Sequence, residues 1–310
     1  MTARAGRAVP VAASRADNLR GAALMVAAMA AFAVEDMFLK AAAATLPVGV
    51  VLMLFGAGGA LGFSVLALSR GEPLWHPAMA SRGVAMRAVA EVTGRLGYTL
   101  AIALTPLSAA TAILQATPLV VVAGAAVFFG ERVGWRRWCA VLAGFAGVMV
   151  ILQPTPGSFV PSSIFAVIGM AGFAARDLAT RAAPRVLSNR QLGLCGFVVL
   201  VPTGALLWAW TGGAVPADAR AFGYLAAGTA IGIAAYSGLT AAMRVGDVSV
   251  VTPFRYSRLL FGIGLGVAVF GEDLSPATLL GSAVVLAAGL YTLAGAGRGA
   301  KVLDAPRSSR

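Results

Sequence analysis

Apolar runs of nearly membrane-spanning length follow one another along the chain, separated by short polar breaks. Ten of them stand at about 20–41, 47–69, 81–103, 107–129, 136–153, 160–180, 190–210, 221–243, 249–270 and 275–295. A helix rises roughly 1.5 Å per residue and a hydrocarbon core is about 30 Å thick, so runs of this length read as transmembrane helices. The breaks carry proline or glycine, as at Thr105-Pro106, Pro154-Thr155-Pro156-Gly157 and Thr211-Gly212-Gly213. Nothing is left between them for a soluble domain. The pattern predicts an all-α membrane protein of ten transmembrane helices.

Composition agrees. Of 310 residues, 59% are hydrophobic and 12% charged, with a mean hydropathy of +0.85; soluble domains carry about 25% charge. A net charge of +12 would suit a nucleic-acid partner if it were gathered into a patch. Here the basic residues stand singly between apolar runs, as loop charge does, so no nucleic acid is expected. Residues 1–19 read as a disordered basic tail. A cleaved secretory signal is the competing reading, but the run that follows continues through Glu35 and Asp36 without a cleavage pattern.

Loop charge also sets the orientation. With the N-terminus inside, the inner side holds Arg4, Arg7, Arg15, Arg20, Arg70, Arg82, Arg132, Arg136, Arg137, Arg181, Arg185, Arg190, Arg244, Arg298, Lys301, Arg307 and Arg310. The outer side holds Lys40 and Arg220. Seventeen against two places both termini, including a tail at 296–310, on the cytoplasmic side of a bacterial-type inner membrane.

The chain repeats itself. Sliding it back by 141 residues lays Phe270-Gly271-Glu272 on Phe129-Gly130-Glu131, Ser249 on Ser108 and Thr252 on Thr111. The same offset lays Met170–Asp177 (MAGFAARD) on Met29–Asp36 (MAAFAVED), and Gly238, Thr240 and Ala242 on Gly97, Thr99 and Ala101. Chance matches in an Ala/Gly-rich chain would scatter, whereas these share one offset without gaps. Run six repeats run one, and runs eight and nine repeat three and four. An odd number of spans per copy means that the second enters the membrane upside down. Two inverted five-helix repeats, at 20–153 and 160–295, are the pattern of many secondary transporters, whose ligand sites lie near the midplane where the halves meet.

Charges inside the apolar runs carry the candidate chemistry. Run nine, within VTPFRYSRLLFGIGLGVAVFGE (Val251–Glu272), places Arg255 and Arg258 three residues apart on one helical face. An arginine at a helix centre costs about 2.5–3.5 kcal/mol on insertion scales, so it needs a partner or a watery cavity. Run three holds Arg87, Glu91 and Arg95 at steps of four, all on one face. That ladder either pins the helix to a neighbour or forms a cavity wall, and one acid cannot neutralise two arginines. Four guanidinium groups thus face one glutamate, so Glu35, Asp36 or Asp177 must reach them or a ligand anion must. Arg87, Arg95, Arg255 and Arg258 are the anion-binding candidates, arginine being suited to bidentate oxyanion contacts. Tyr98, Tyr236, Tyr256, Gln115 and Thr117 are candidate neutral contacts, with Tyr98 and Tyr256 placed to stack on a ring. Glu91, the deepest acid by position, is the candidate for coupling to a proton or another ion.

Asp36 with Lys40, and Asp177 with Arg181, form acid-then-base pairs at i,i+4 near opposite ends of runs one and six. They read either as helix-end neutralisation or as gates that close alternately; Glu35 and Arg176, next to the two aspartates, belong to the same gate group. Glu131 and Glu272 read as fixing helix ends. The spacings Gly58/Gly62, Gly228/Gly232 and Gly262/Gly266 read as close helix contacts. His76 stands alone in a short loop, Cys139 and Cys195 read as buried thiols, and no phosphate-cradling glycine motif with its lysine occurs. No enzyme activity, cofactor or metal site is expected.

The stretch ATAILQATPLVVVAGAAVFFGERVGWRRWCAVLAGFAGVMVILQP (Ala110–Pro154) resembles the EamA module of the drug/metabolite transporter superfamily, and VFGED with LLGSAVVLAAGLY repeats its pattern in runs nine and ten. The resemblance covers about residues 20–295. It implies a ten-helix, two-module carrier with alternating access around a central cavity. The strings ERVGWRRW and PFRYSRL are similar to the branch that holds S-adenosylmethionine and riboflavin uptake carriers. The expected function is secondary active transport of a small polar metabolite: anionic, zwitterionic or planar-ring, such as an amino acid derivative, S-adenosylmethionine or riboflavin. A passive channel and a non-transport membrane scaffold are the alternatives. The partners expected are a small-molecule substrate, membrane lipid and a proton or other coupling ion, with a homodimer left open.

Overall fold

A computed structural model describes residues 13–104, 113–153, 161–270 and 276–299. The basic tail through residue 12, Ser108 and Thr111 at the start of run four, Gly271, Glu272 and the tail beyond residue 299 lie outside the described residues, as do the side chains of Lys40 and Gly266's surroundings. Helices and turns make up everything described, and no strand occurs among these residues.

Helix α1 (Arg15–Ala43) begins at Ser14, whose hydroxyl accepts the Asp17 amide at 3.1 Å. It is followed by α2 (Val48–Leu68), α3 (Arg82–Leu104), α4 (Thr117–Phe129), α5 (Trp135–Leu152) and α6 (Ile164–Ala182). Gly130 ends α4 with φ 66°, a left-handed cap that a side chain would strain. Two runs expected as single helices are broken. The run at 190–210 divides into α7 (Asn189–Val198) and α8 (Leu200–Thr211), beside Pro202, which cannot donate a helical hydrogen bond. After α9 (Ala219–Val245), the ninth run divides into one helical turn (Val248–Val251), a 3-10 turn (Thr252–Tyr256) containing Pro253, and α10 (Ser257–Phe270). Helix α11 (Pro276–Gly299) completes the described chain.

Five stretches are long and apolar enough to cross a membrane by length and composition: 15–43, 48–68, 161–182, 189–211 and 219–245, with shorter apolar helices at 117–129 and 279–291. Helix α3 has the length but carries Arg82, Arg87, Glu91 and Arg95. It turns Met86 and Val89 outward and buries Arg87 and Glu91. The same inversion holds elsewhere, with Leu61, Val127, Phe128, Leu206 and Leu290 exposed while Glu35, Arg176 and Asp177 are buried. An apolar exterior around a charged interior is the arrangement a bilayer demands.

Helix α1 packs along α9, α3 along α6, α2 against α7 and α8, and α5 against α11. Helix α10 also leans on α1, and α4 on α6. Where α3 crosses α6, a Cβ added at Gly97 would lie 2.6 Å from the Gly169 nitrogen, so only hydrogen fits between the backbones. Gly58 and Gly228 make close contacts of the expected kind, with Thr229 and with Phe38 and Leu39. Gly262 does not: a Cβ there would meet nothing within 4 Å, because it borders a cavity. Cys139 is likewise exposed on α5 rather than buried, and Cys195 is half-buried.

Candidate functional site

A cavity of about 330 Å³ lies where α1, α3, α6 and α9 meet the start of α4 and the broken ninth run. Helix α1 contributes Met29, Phe32, Ala33, Glu35 and Asp36; α3 contributes Arg95 and Tyr98; α6 contributes Phe173 and Arg176; α9 contributes Tyr236 and Leu239. The remaining wall comes from Leu114 and Gln115 just before α4, from Thr117 and Pro118 at its start, and from Arg255, Arg258, Leu259 and Gly262. Backbone that leaves the helix at membrane depth is tolerated where it borders such a space.

Most of the charges are already matched. Arg176 donates from Nη1 to Glu91 Oε1 at 3.2 Å and from Nε to Asp177 Oδ1 at 2.9 Å. Arg255 forms a second ion pair with Asp177. Tyr236 donates to Glu91 Oε2 at 2.8 Å and accepts from Arg87 Nη2 at 2.5 Å, while Arg87 Nε donates to Thr180 Oγ1 at 2.9 Å. One network therefore runs Arg87–Tyr236–Glu91–Arg176–Asp177–Arg255 through three helices and the 3-10 turn. A separate pair joins Arg258 to Asp36, with Nε to Oδ2 at 3.0 Å. Guanidinium groups also lie over rings: Arg258 over Phe32 at 5.0 Å and Arg176 over Phe173 at 5.2 Å. Burial grades across the site. The Asp177 and Arg255 side chains are 2% and 15% exposed, those of Asp36 and Arg258 54% and 40%.

Of the residues singled out in the sequence, the cavity brings together Arg95, Tyr98, Gln115, Thr117, Tyr236, Arg255, Arg258, Glu35, Asp36 and Arg176. Tyr256, Arg87, Glu91, Asp177 and Arg181 do not line it. Tyr256 is turned toward α5, where its ring fills the space beside Gly144 and its hydroxyl donates to the Val141 carbonyl at 3.5 Å. The 3-10 turn rotates it away from its neighbour Arg255. Arg87 and Glu91 lie behind the wall, held by Thr180, Tyr236 and Arg176. The i,i+4 pairing is also corrected: Asp177 takes Arg176 and Arg255, and Arg181 instead donates to the Arg244 carbonyl at 3.0 Å. Asp36 takes Arg258, which is 222 residues away. Sequence reading passed over Phe32 and Phe173, although they are equivalent at the repeat offset and both sit one turn before an aspartate. By its position in the sequence Arg176 belongs with the gates, but in the fold it is the hub of the buried network.

Beyond the buried end of the cavity the helices are tied together. Asp247 accepts from the Ala13 amide at 3.0 Å and from Asn18 Nδ2 at 3.3 Å, and its own amide donates to Asn18 Oδ1 at 2.8 Å. The Glu131 carboxylate accepts the Val248 and Ser249 amides, each at 3.0 Å, and Arg137 donates to Ser249 Oγ at 2.7 Å. Glu131 thus caps the start of the ninth run rather than only its own turn. Arg244 donates to the Leu187 carbonyl at 2.8 Å and to Asn189 Oδ1 at 2.7 Å. Among the described residues no group of three His, Cys, Asp or Glu side chains comes together to hold a metal.

Comparisons with known proteins converge. The EamA-like transporter family matches residues 19–153. The riboflavin transporter of Rhizobium johnstonii is 30% identical over 207 residues, 67% of this chain and 68% of that one. The pseudopaline exporter CntI of Pseudomonas aeruginosa is 30% identical over 279 residues, 86% and 94% of the two chains. The S-adenosylmethionine uptake transporter of Rickettsia bellii is 23% identical over 206 residues, 64% and 68%. A solved crystal structure superposes with a TM-score of 0.74 at 23% identity, over 92% of this chain and 100% of that one, which supports the fold alone.

Proposed function

This chain belongs to the EamA-like transporter family, and from that premise we propose that it is a secondary carrier that moves a small polar metabolite by alternating access through the cavity between α1, α3, α6 and α9. It is a multi-pass membrane protein whose relatives are named transporters. The finer architecture belongs to the proposal: ten helices as two inverted repeats, 20–153 and 160–295, in the inner membrane with both termini cytoplasmic. Helix pairing supports that reading. The repeat offset converts α1 into α6 and α3 into α9, so the pairing of α1 with α9 corresponds to that of α6 with α3. The contacts of α10 with α1 and of α4 with α6 correspond in the same way.

The observation that carries the proposal is the unequal exposure of the two equivalent aspartates. Asp177 is buried against Arg176 and Arg255, while Asp36 stands half-exposed on the cavity wall. With the orientation expected from loop charge, this is an outward-open carrier. Its inner gate is the layer around Asp247, Glu131 and Arg244. Rocking one repeat against the other would exchange the environments of Asp36 and Asp177. A cavity of this size suits a metabolite at the small end of the usual ligand range, about 300–1,000 Å³.

Counterflow in proteoliposomes tests the proposal. Vesicles of the full chain preloaded with an unlabelled metabolite mixture should accumulate labelled members of that mixture transiently. A channel would equilibrate label without the transient overshoot, and a scaffold would move none.

A further inference from the structure

The turn from α4 into α5 has two faces. Inward, the Glu131 carboxylate accepts the Val248 and Ser249 amides, and Arg137 donates to Ser249 Oγ. Outward, Arg132, Trp135 and Arg136 are exposed. The acid of the turn is thus spent on backbone amides, and among the described residues neither Arg132 nor Arg136 enters an ion pair. The Arg136 guanidinium instead lies 5.6 Å from the centre of the Trp135 ring. From Trp135 an exposed stripe runs along α5 through Cys139, Leu142, Ala146 and Val150, at the steps of three and four that keep to one helix face. The patch lies on the side of the N-terminus, because Asp247, next to Val248, holds the Ala13 amide.

We infer that Arg132 and Arg136 bind the phosphate of an anionic phospholipid in the leaflet on the N-terminal side, with its acyl chains along the exposed face of α5. Two cationic groups and an indole above an apolar helix face fit a partner with an anionic head and an apolar tail. The indole of Trp135 then sits at the glycerol level, where amphipathic rings gather in a bilayer. A soluble phosphate would match the arginines and leave the apolar stripe unused. The lipid would brace the outer face of a turn whose inner face caps the start of the ninth run. This inference lies beyond the carrier reading and stands without it, since it needs only that the chain resides in a membrane.

The test uses the full chain, purified in a neutral detergent, with bound lipid counted by native mass spectrometry. It is titrated with phosphatidylglycerol, with phosphatidylcholine of the same acyl chains, and with glycerol 3-phosphate as the soluble headgroup. The natural protein should hold its first phosphatidylglycerol about tenfold more tightly than phosphatidylcholine. An arginine beside an anionic headgroup contributes about fivefold in affinity, so Arg132→Gln with Arg136→Gln should weaken that first site by about twentyfold. Arg132→Lys with Arg136→Lys keeps the charge and should stay within about fivefold of the natural protein, which separates a lost site from a misfolded variant. Arg70→Gln with Arg185→Gln removes the same charge from exposed positions elsewhere on that side and should change the first site by no more than about twofold. Equal losses in the two glutamine pairs would overturn the inference, because attraction would then follow net charge. Equal affinity for the two lipids would also overturn it. So would displacement of phosphatidylglycerol by an equal concentration of glycerol 3-phosphate, which would give the arginines to a soluble anion.

Discussion

At Asp177 one buried carboxylate is shared by two guanidinium groups, Arg176 from the same helix and Arg255 from the 3-10 turn. Removing the sole partner of a buried charge costs about 3–5 kcal/mol. Arg255→Gln leaves Arg176 in place, so the expected loss is the smaller value of one charged hydrogen bond, about 1.5–3 kcal/mol. Asp177→Asn added to Arg255→Gln should recover part of the lost stability, read as the thermal midpoint of the purified protein. An unchanged midpoint in the single variant would contradict the pairing. A second residue-level prediction concerns Glu72, in the loop after α2, which accepts from Arg190 Nε at 3.1 Å and from Ser188 Oγ at 2.6 Å. The Arg190 hydrogen bond holds the Glu72 carboxyl below its ordinary value of 4.5. A depressed folded-state value means that the pair's contribution is complete above 4.5 and disappears as the pH falls through the folded value. The midpoint difference between the natural protein and Glu72→Gln should therefore be constant near neutrality and shrink on acidification below 4.5. A difference that grows with acid would reverse the sign and reject the account.

Among the elements, the crossing of α3 and α6 is a tight constraint tied to a named residue type. A Cβ at Gly97 would lie 2.6 Å from Gly169 N and 3.0 Å from the Phe165 carbonyl oxygen, and backbone cannot swing aside as a side chain can. Gly97→Ala should destabilise by about 1–3 kcal/mol, while Gly223→Ala on α9, where a Cβ meets nothing within 4 Å, should be neutral or slightly stabilising. Equal thermal midpoints for the two variants would contradict the packing described. Element positions were largely legible in the sequence because lipid leaves helices as the only open-chain way to satisfy the backbone, so apolar run length translates almost directly into helix bounds. The breaks near Pro202 and Pro253 were not expected, although a proline stands in each run, and the direction in which the 3-10 turn throws Arg255 and Tyr256 was not legible, since it depends on a local change of helical pitch. Ion partners were less legible still. Local spacing favours Asp177 with Arg181, whereas the folded chain brings Arg255 from 78 residues away.

For the whole molecule, the proposed cycle has the cavity open on the Asp36 side while the layer around Asp247 and Glu131 closes the other, and then the reverse. Gly262 is the place to ask, because it borders the cavity and has room for a side chain. In a background with Cys139→Ser and Cys195→Ser, Gly262→Cys should react with a membrane-impermeant thiol reagent added on the side opposite the N-terminus. Asp247→Ala removes the contacts to Ala13 and Asn18. It should raise labelling from the N-terminal side and lower it from the other in the same proteoliposomes. That reciprocal change is the predicted result. Labelling from both sides at once before Asp247 is altered, or a rate from either side that Asp247→Ala leaves untouched, would contradict it.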